Sequence, residues 1–370
     1  MKETIKTTAT ICIVLGILVF WVAQTFAEPP ALARLSGAEK ERVLKLIDGA
    51  KKEGELVAYS GNWRPDVQAM MLPKFYEEYG LSESDLKIKI LSTRTGAIVT
   101  KVTQELRAKI YKTDIVHIAA LGWVQDLVKR GELMAYESPE YKYFAPIAND
   151  PSKGPAHPPY FISHMFQSYT LSYNPKFLKG KIEHWKDVLK PEYKGKIVCG
   201  DLPKSYSYTD AYIALRKVLS KDYWKQLGAM KPHLIASTSS KVNKLISGEF
   251  AIDVFASGGT TYRANKKGAG IVLVFPPEGW PAIGWPAFIL AHAPHPNAAK
   301  LLIDFVHSKA GAQIVQKTGF MTGRKGIKPI DPVYPRPIYD MKGFVEMDWR
   351  KVSNEDREQA VEQFKKYFGL

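Results

Sequence analysis

The hydrophobic positions of this chain form short apolar runs, and amphipathic stretches lie between them. Mostly apolar runs of four to eight residues are typical of buried strands, and apolar residues three or four positions apart are typical of helices. In the first part of the chain this pattern predicts strands at 55–60, 87–91 and 114–118, followed by helices at 65–79, from the 92–96 loop to 108, and at 123–130. Each strand leads through a loop into a helix, which favours a parallel α/β sheet.

The same alternation resumes after an irregular Pro- and Tyr-rich stretch at 138–159. Strand 168–173 is expected to pass between two lobes. Further strands are predicted at 195–200, 233–236, 250–256, 271–275 and 287–291, and further helices at 208–219, 222–230, 240–247, 298–307 (with Asn297 as its N-cap) and 354–368. Both parts of the chain therefore have α/β character.

The first 27 residues have the layout of a secretory signal peptide. Lys2 and Lys6 precede an uncharged stretch at 7–26, and the 25–27 segment places small residues at positions −3 and −1 of a cleavage site. The apolar run also approaches the length of a bilayer span, so an uncleaved anchor is the alternative. We expect cleavage after Ala27 and a soluble periplasmic protein.

The composition is that of a globular protein, with 24% charged and 45% hydrophobic residues. Removal of residues 1–27 takes away two lysines and one glutamate, so the net charge falls from +15 to +14. The lysines are scattered among acidic residues, and no zinc-finger spacing or RNA-binding aromatic motif occurs, so we expect no nucleic-acid partner. Cys199 would be the only cysteine left, in an apolar run typical of a buried strand, so an internal disulfide is excluded.

Four predicted strand-to-helix loops, at 60–64, 92–96, 204–207 and 237–240, carry hydroxyl, amide or basic side chains. Ligands of open α/β sheets bind outside the carboxyl ends of the strands, where helix N-termini suit an anion. Arg64 and Arg94 would add guanidinium groups for a carboxylate or phosphate. The candidate ligand-binding residues are Asn62, Arg64, Arg94, Thr95, Gly96, Lys204, Ser205, Ser207, Thr238, Ser239, Ser257 and Tyr262.

Motifs for catalysis or metal binding are not found in the sequence. Prolines place His292 and His295, the closest histidine pair, in a turn, and there is no His-Glu-x-x-His, Gly-x-Ser-x-Gly or phosphate-loop motif. We expect no catalytic residues, no metal and no cofactor. Trp280 and Trp285 lie in a Pro- and Gly-rich segment, where they would either close over a ligand or pack in the core.

Nine segments, in order along the chain, resemble the periplasmic iron(III)-type solute-binding proteins of ABC importers. They are 95–96, 104–108, 113–116, 171–175, 185–197, 247–252, 275–279, 293–300 and 318–320, of which 185–197 and 296–299 are the most specific. The resemblance implies the α/β type 2 periplasmic-binding fold, in which each of two lobes is a mostly parallel sheet flanked by helices. It places lobe I at 28–167 and 277–370, lobe II at 168–276, and hinge strands near 168–174 and 271–277.

The resemblance implies a receptor that closes over a small ligand and delivers it to an ABC permease in the inner membrane. Iron-binding members carry adjacent tyrosines shortly after a Gly-Glu pair, whereas Gly248-Glu249 is followed here by the single Tyr262. Directly bound ferric iron is therefore disfavoured. Related members bind organic phosphates, phosphonates, thiamine or carboxylates, which suits the hydroxyl-lined loops.

Other functions stay open on the sequence alone. A ferric ion held through a bound anion is one alternative. An exported enzyme on the same scaffold is another, although no nucleophile–base pair is visible. A ligand sensor for a membrane kinase is the third. We expect a monomer with no enzymatic activity.

Overall fold

A computed structural model of the chain describes residues 28–329 and 337–370, so the predicted signal segment lies outside the described residues. The helices are α1 (Pro30–Ala33), α2 (Gly37–Glu53), α3 (Pro65–Tyr79), α4 (Thr95–Arg107), α5 (Leu121–Lys129), α6 (Pro146–Asn149), α7 (Tyr206–Leu215), α8 (Lys221–Ala229), α9 (Thr238–Ser247), α10 (Gly258–Asn265), α11 (Pro296–His307), α12 (Lys309–Lys317) and α13 (Asn354–Phe368). The strands are β1 (Glu55–Ser60), β2 (Lys87–Ser92), β3 (Ile115–His117), β4 (Ser163–Tyr173), β5 (Ile197–Gly200), β6 (His233–Ile235), β7 (Ile252–Ser257), β8 (Val272–Val274) and β9 (Ala282–Ile289). No helix in these ranges is both long enough and apolar enough to cross a bilayer.

Two sheets share the long strands β4 and β9. In the first sheet, β1 pairs in parallel with β2 and β3, and β3 pairs antiparallel with the end of β9. In the second sheet, β5 pairs in parallel with β6 and β7, and β4 pairs antiparallel with β7 and β8. The first half of β4 pairs with β9, which gives the order β2-β1-β3-β9-β4-β7-β5-β6. The carboxyl ends of parallel strands from both sheets therefore face one region between the sheets.

The crossing strand expected at 168–173 is confirmed as β4, which begins five residues earlier. The second crossing strand is β9, whereas the segment at 271–277 contains β8, which pairs with β4 alone among the described strands. Gly284 interrupts the apolar pattern of β9, and the structure shows why it is glycine: a Cβ atom there would collide with Pro155 and Ser163. The lobe boundaries at 167/168 and 276/277 stay a prediction.

Several sequence expectations on helices differ from the structure, since α1, α2, α6, α10 and α12 were not predicted. The helix α10 escaped detection because it begins with Gly258 and Gly259, which are poor helix formers. A Cβ atom on Gly259 would lie 2.8 Å from the Phe320 ring, so close packing requires the glycine. The prediction of Asn297 as the N-cap of α11 is wrong: the helix begins at Pro296, and the backbone N–H of Asn297 donates to the carboxylate of Glu53 at 3.0 Å.

The hydrophobic core of the second sheet contains Cys199, as expected for an apolar strand. Burial raises the pKa of its thiol to about 12, so the thiolate is strongly disfavoured at neutral pH. The C-terminal helix α13 packs on α7 and α8 and inserts Phe364 into the same core. The last helix of the chain is thus part of the second-sheet packing.

Candidate functional site: a cationic cleft between the sheets

A cleft of about 300 Å³ opens between the two sheets. The loops after β1 and β2 form one wall, and the loops after β5, β6 and β7 form the other. Ten of the twelve predicted site residues line it: Asn62, Arg64, Arg94, Thr95, Gly96, Lys204, Ser205, Ser207, Thr238 and Ser239. The fold therefore brings together four loops that are up to about 180 positions apart in the sequence.

The other two predicted residues lie outside the cleft lining. Ser257 is buried beneath it, where its hydroxyl accepts a hydrogen bond from Gln167 at 2.7 Å and donates to Thr260 at 3.1 Å. Tyr262 lies on an adjoining open surface with Lys266 and Lys267. Ser257 thus supports two cleft residues, Gln167 and Thr260, rather than facing the cleft itself.

Helix N-termini surround the cleft. Arg64, Arg94, Ser205 and Ser237 are the N-cap residues of α3, α4, α7 and α9, and all four line the cleft. The first turn of α10 adds Thr260. Because helix N-termini carry partial positive charge and unpaired N–H groups, these converging ends favour a negatively charged ligand.

Four cationic side chains add to the positive charge of these helix N-termini, and none of the described lining residues is Asp or Glu. Arg94 is exposed and forms no ion pair within the described ranges, whereas Lys204 lies 3.0 Å from Asp201. Arg263 donates to the backbone oxygen of Thr318 at 3.0 Å. The fourth cation, Arg64, donates to a neighbouring carboxylate just outside the lining.

Arg64 connects the cleft to that carboxylate. It donates to the amide oxygen of Asn62 at 2.7 Å and to Asp66 at 2.9 Å. Partial burial raises the pKa of the Asp66 carboxyl, but the hydrogen bond and charge of Arg64 outweigh this and lower the pKa overall. The guanidinium of Arg64 is therefore held against the cleft wall by two fixed acceptors.

Buried groups behind the first wall fix the loop that carries Asn62. The hydroxyl of Ser60 accepts hydrogen bonds from the backbone N–H groups of Asn62 at 3.1 Å and Trp63 at 2.8 Å, and it lies 2.8 Å from Nδ1 of His117. Trp63 stacks on the His117 ring at 4.6 Å. Burial lowers the pKa of His117 to about 3, so this support is neutral at physiological pH.

The sequence reasoning missed most of the aromatic part of the cleft. The lining residues outside the candidate set are Gly61, Gln167, Tyr169, Tyr206, Ala236, Ser237, Thr260, Arg263, Trp285 and Phe320. Of these, Gly61, Tyr206 and Ser237 lie in the predicted loops. Of the two tryptophans singled out in the sequence, Trp285 lines the cleft and its indole N–H has no partner among the described residues. Trp280 is instead a core residue that donates to the backbone oxygen of Lys342 at 2.9 Å.

One signal could have found Thr260 and Arg263. The segment from Ser257 to Thr261 places hydroxyl and glycine residues at the end of a buried strand, and the other four loops also carry hydroxyl side chains before a helix. Arg263 follows one helical turn after Thr260 and donates to its hydroxyl at 3.1 Å. The pattern was hidden because two glycines open the helix.

The described residues contain no group of three or more His, Cys, Asp or Glu side chains arranged to hold a metal ion. Tyr169 and Tyr206 are the cleft tyrosines in the described ranges. Burial raises the pKa of Tyr169 above its usual value, so its phenolate form is disfavoured. The cleft is suited to donating hydrogen bonds to an anion rather than to supplying anionic oxygen ligands.

The profile of the bacterial extracellular solute-binding protein family matches residues 119–334 of this chain. The chain belongs to this family. Among curated relatives, this solute-binding protein is similar to the spermidine/putrescine-binding periplasmic protein of Escherichia coli (strain K12). The two are 24% identical over 296 residues, which cover 75% of this chain and 80% of the relative.

Solved structures show the same two-lobed α/β fold. The periplasmic binding protein AfuA from Actinobacillus pleuropneumoniae, with fructose-6-phosphate bound, aligns with a TM-score of 0.72 at 19% identity over 86% of this chain and 99% of its own. Iron-bound HitA from Pseudomonas aeruginosa aligns with a TM-score of 0.68 at 17% identity over 85% and 99%. The resemblance to periplasmic solute-binding proteins of the iron-type branch, inferred from sequence segments, is confirmed.

Proposed function

We propose that this solute-binding protein captures a small organic anion, with a phosphate or carboxylate group, in the cleft between the sheets. The observation that carries the proposal is the charge of the lining: Arg64, Arg94, Lys204 and Arg263 beside four helix N-caps, with no Asp or Glu among the described lining residues. Charge-assisted hydrogen bonds from such donors are the strong contacts available to a phosphate or carboxylate.

A polyamine fits this cleft poorly, although the similar protein from Escherichia coli is named for spermidine and putrescine. Each ammonium group of a polyamine needs a carboxylate or an aromatic face as its partner. Aromatic faces are present at Tyr206 and Trp285, but the surrounding cations would repel the ligand. Charge therefore favours the opposite class of ligand.

Directly coordinated ferric iron also fits poorly. Ferric ion is a hard cation that prefers anionic oxygen ligands, and the described lining supplies two phenol side chains, Tyr169 and Tyr206, and no carboxylate. Tyr262, the single tyrosine that follows the Gly248-Glu249 pair, lies outside the lining. One similar structure, a FutA protein from Trichodesmium, holds iron together with citrate. In this chain we propose that the anion itself is the ligand.

The proposal includes delivery of the ligand to an ABC permease in the inner membrane after closure of the two sheets about β4 and β9. It also includes a periplasmic location after cleavage at Ala27, action as a monomer and binding without turnover. The family, with its extracellular solute-binding members, supports this role. The scattered surface lysines give no support to a nucleic-acid partner.

A ligand panel tests the proposal on the mature chain from Glu28 onward. Thermal unfolding is followed with inorganic phosphate, fructose 6-phosphate, citrate, spermidine and ferric ion, each at the same concentration. We expect at least one of the three anions to raise the unfolding midpoint and spermidine to leave it unchanged, since a ligand that binds the folded state preferentially stabilises it. The phosphate ester is followed by phosphorus NMR, and its hydrolysis would favour the enzyme alternative. Stabilisation by spermidine or by ferric ion alone would contradict the anion proposal.

A further inference from the structure

The C-terminal helix α13 contacts helices that belong to both sheets. Its body packs on α7 and α8, where Ala360 and Phe364 are completely buried in the core of the second sheet. Its first residue, Asn354, donates a side-chain hydrogen bond to the carboxylate of Asp126 on α5, the helix that follows β3 of the first sheet. One helix thus bridges elements on the two sides of the cleft.

Arg357, one turn into α13, lies where α5 and α7 meet. It is 6% exposed and forms an ion pair with Asp210 of α7, which is fully buried. Its guanidinium also donates to the backbone oxygen of Tyr206 at 3.2 Å and lies 4.7 Å from the centre of the Tyr206 ring. Arg357 packs closely against α5, because a Cβ atom on Gly122 would lie 2.9 Å from Cδ of Arg357.

Tyr206 connects this junction to the cleft. It is the first residue of α7, and its side chain lines the cleft. Across the cleft it faces Gly96 in the first turn of α4: a Cβ atom built on Gly96 would lie 3.8 Å from Cε2 of Tyr206. The first turns of α4 and α7 therefore approach each other at this end of the cleft, with Arg357 directly behind the tyrosine.

We propose that α13 ties the two sheets together at this end of the cleft, and that Arg357 is a positioning residue that holds Tyr206 in the cleft wall. Asp210 neutralises the charge of Arg357, and Arg357 is not among the residues that line the cleft, so it acts through Tyr206 rather than on the ligand. A planar guanidinium can stack on the Tyr206 ring, donate to the Tyr206 backbone oxygen and pair with the Asp210 carboxylate at the same time. A lysine ammonium cannot make these three contacts together. Its effect on ligand affinity rests on the proposed function, whereas the tie between the sheets does not.

The first arm of the test needs no ligand. Cysteines introduced at two exposed positions, Gln104→Cys on α4 and Asn243→Cys on α9, are spin-labelled, and the distance between them is measured in the ligand-free protein. The native Cys199 is buried and does not compete for the label. We expect Arg357→Lys and Asn354→Ala to broaden the distance distribution or shift it to longer distances. Arg350→Lys, a change at a more exposed arginine just before α13, is the matched control and should leave the distribution unchanged.

The second arm measures the affinity for fructose 6-phosphate in a double-mutant cycle. We expect Arg357→Lys to weaken binding about tenfold when Tyr206 is present and by less than about twofold in a Tyr206→Ala background, because the two residues act as a unit. The thermal midpoint of each variant shows that it is folded. An unchanged distance distribution in Arg357→Lys, or equal weakening with and without Tyr206, would overturn the proposal. If the wild-type protein binds no probe, the proposed function fails, and the distance measurement alone decides whether α13 ties the sheets.

Discussion

The ammonium of Lys241 lies 2.6 Å from the carboxylate of Asp253, and both side chains are almost completely buried. Lys241 also donates to the backbone oxygens of Val254 at 3.1 Å and Phe255 at 2.8 Å. Phe255 has a φ of 63°, a left-handed conformation that side chains rarely adopt. The buried lysine therefore holds the strained end of β7, which leads directly into α10 and so to Thr260 and Arg263 in the cleft.

Replacement of this lysine should destabilise the protein strongly. Lys241→Met leaves the Asp253 carboxylate buried without its partner, and we expect the free energy of unfolding to fall by about 3–5 kcal/mol. Urea denaturation measures the change. The double variant Lys241→Met, Asp253→Asn buries no unpaired charge and should recover part of the loss. A single variant as stable as the double variant would contradict this account of the pair.

Arg94 should supply binding energy without supporting the fold. Its side chain is exposed at the cleft and forms no ion pair within the described ranges, so Arg94→Ala should weaken an anionic ligand by about 1–3 kcal/mol and leave the unfolding midpoint unchanged. Titration calorimetry with the best anion of the panel measures this loss. Arg107→Ala, which removes an equally exposed arginine from the other end of α4, is the control and should bind like the wild type. If Arg94→Ala bound the anion as tightly as the wild-type protein does, Arg94 would not be part of the anion site.

The position of the Trp285 ring depends on the absence of a side chain at Gly61. A Cβ atom on Gly61 would lie 2.8 Å from Cζ3 of Trp285 and 3.0 Å from Oγ1 of Thr95, so Gly61→Ala must displace the indole ring from its position in the cleft lining. We expect affinity for the anion to fall about tenfold, equivalent to about 1.4 kcal/mol. Gly96→Ala, on the same wall, adds a Cβ atom that meets only Tyr206 at an ordinary 3.8 Å and should bind nearly normally. If both variants bound equally well, Trp285 would not contribute to the cleft surface that the ligand contacts.

Three buried histidines should remain neutral well below the usual titration range. The rings of His117, His164 and His307 follow one another, with centroids 4.8 Å and 5.3 Å apart. Burial lowers the pKa of His117 to about 3 and that of His307 to about 4, and it lowers the pKa of His164 well below its usual value. Nitrogen NMR of the imidazoles at pH 5 should therefore show three neutral rings. Protonated shifts at this pH would contradict the burial that the structure gives them.

The sign of the stability change follows from these shifts. Between the unfolded pKa of about 6.5 and the folded values, the unfolded chain binds more protons, so each of these histidines lowers stability by up to about 1.4 kcal/mol per pH unit as the pH falls. Asp210 and Asp253 act in the opposite sense, because burial raises the pKa of each to about 6 and the folded chain takes up their protons first. The lowered pKa of His157 adds to the histidine effect, and the raised pKa values of Glu140 and Asp304 add to the carboxyl effect. The histidine shifts, from about 6.5 to about 3 and 4 for His117 and His307, are larger than the carboxyl shifts, so we expect urea denaturation to show a net loss of stability from pH 6.5 to pH 4.5. A gain over this interval would contradict the assignment.

The sheets could be predicted well from the sequence because each strand is marked by its own run of apolar residues. The apolar run at 55–60 and the hydroxyl-rich loop after it could be recognised without tertiary information, and the same holds for the loops at 92–96 and 204–207. Where packing overrides local preference, the local pattern of residues was a weaker guide to the structure. Gly284 lies inside β9 because Pro155 and Ser163 leave no room for a side chain. Residues more than 100 positions away in the sequence therefore require the glycine that interrupts the strand pattern.

The aromatic part of the cleft was predicted only in part for the same reason. Tyr206 and Trp285 are aromatic residues, and no local pattern separates a cleft aromatic from a core one. Trp280, five positions before Trp285, belongs to the core. Whether such a residue faces the cleft or the core depends on the crossing of β4 and β9, because this crossing brings the two sheets together. Short-range periodicity does not encode the crossing.

The most direct test of the cationic cleft is native mass spectrometry of the protein exported with its own signal segment and purified without denaturation. We expect a co-purified small organic anion, identified after its release, that is absent from the double variant Arg94→Ala, Arg263→Ala, in which two of the cleft cations are removed. A polyamine or a lone iron ion on the wild-type protein, or an anion that persists on the double variant, would overturn the assignment of the cleft to an anion.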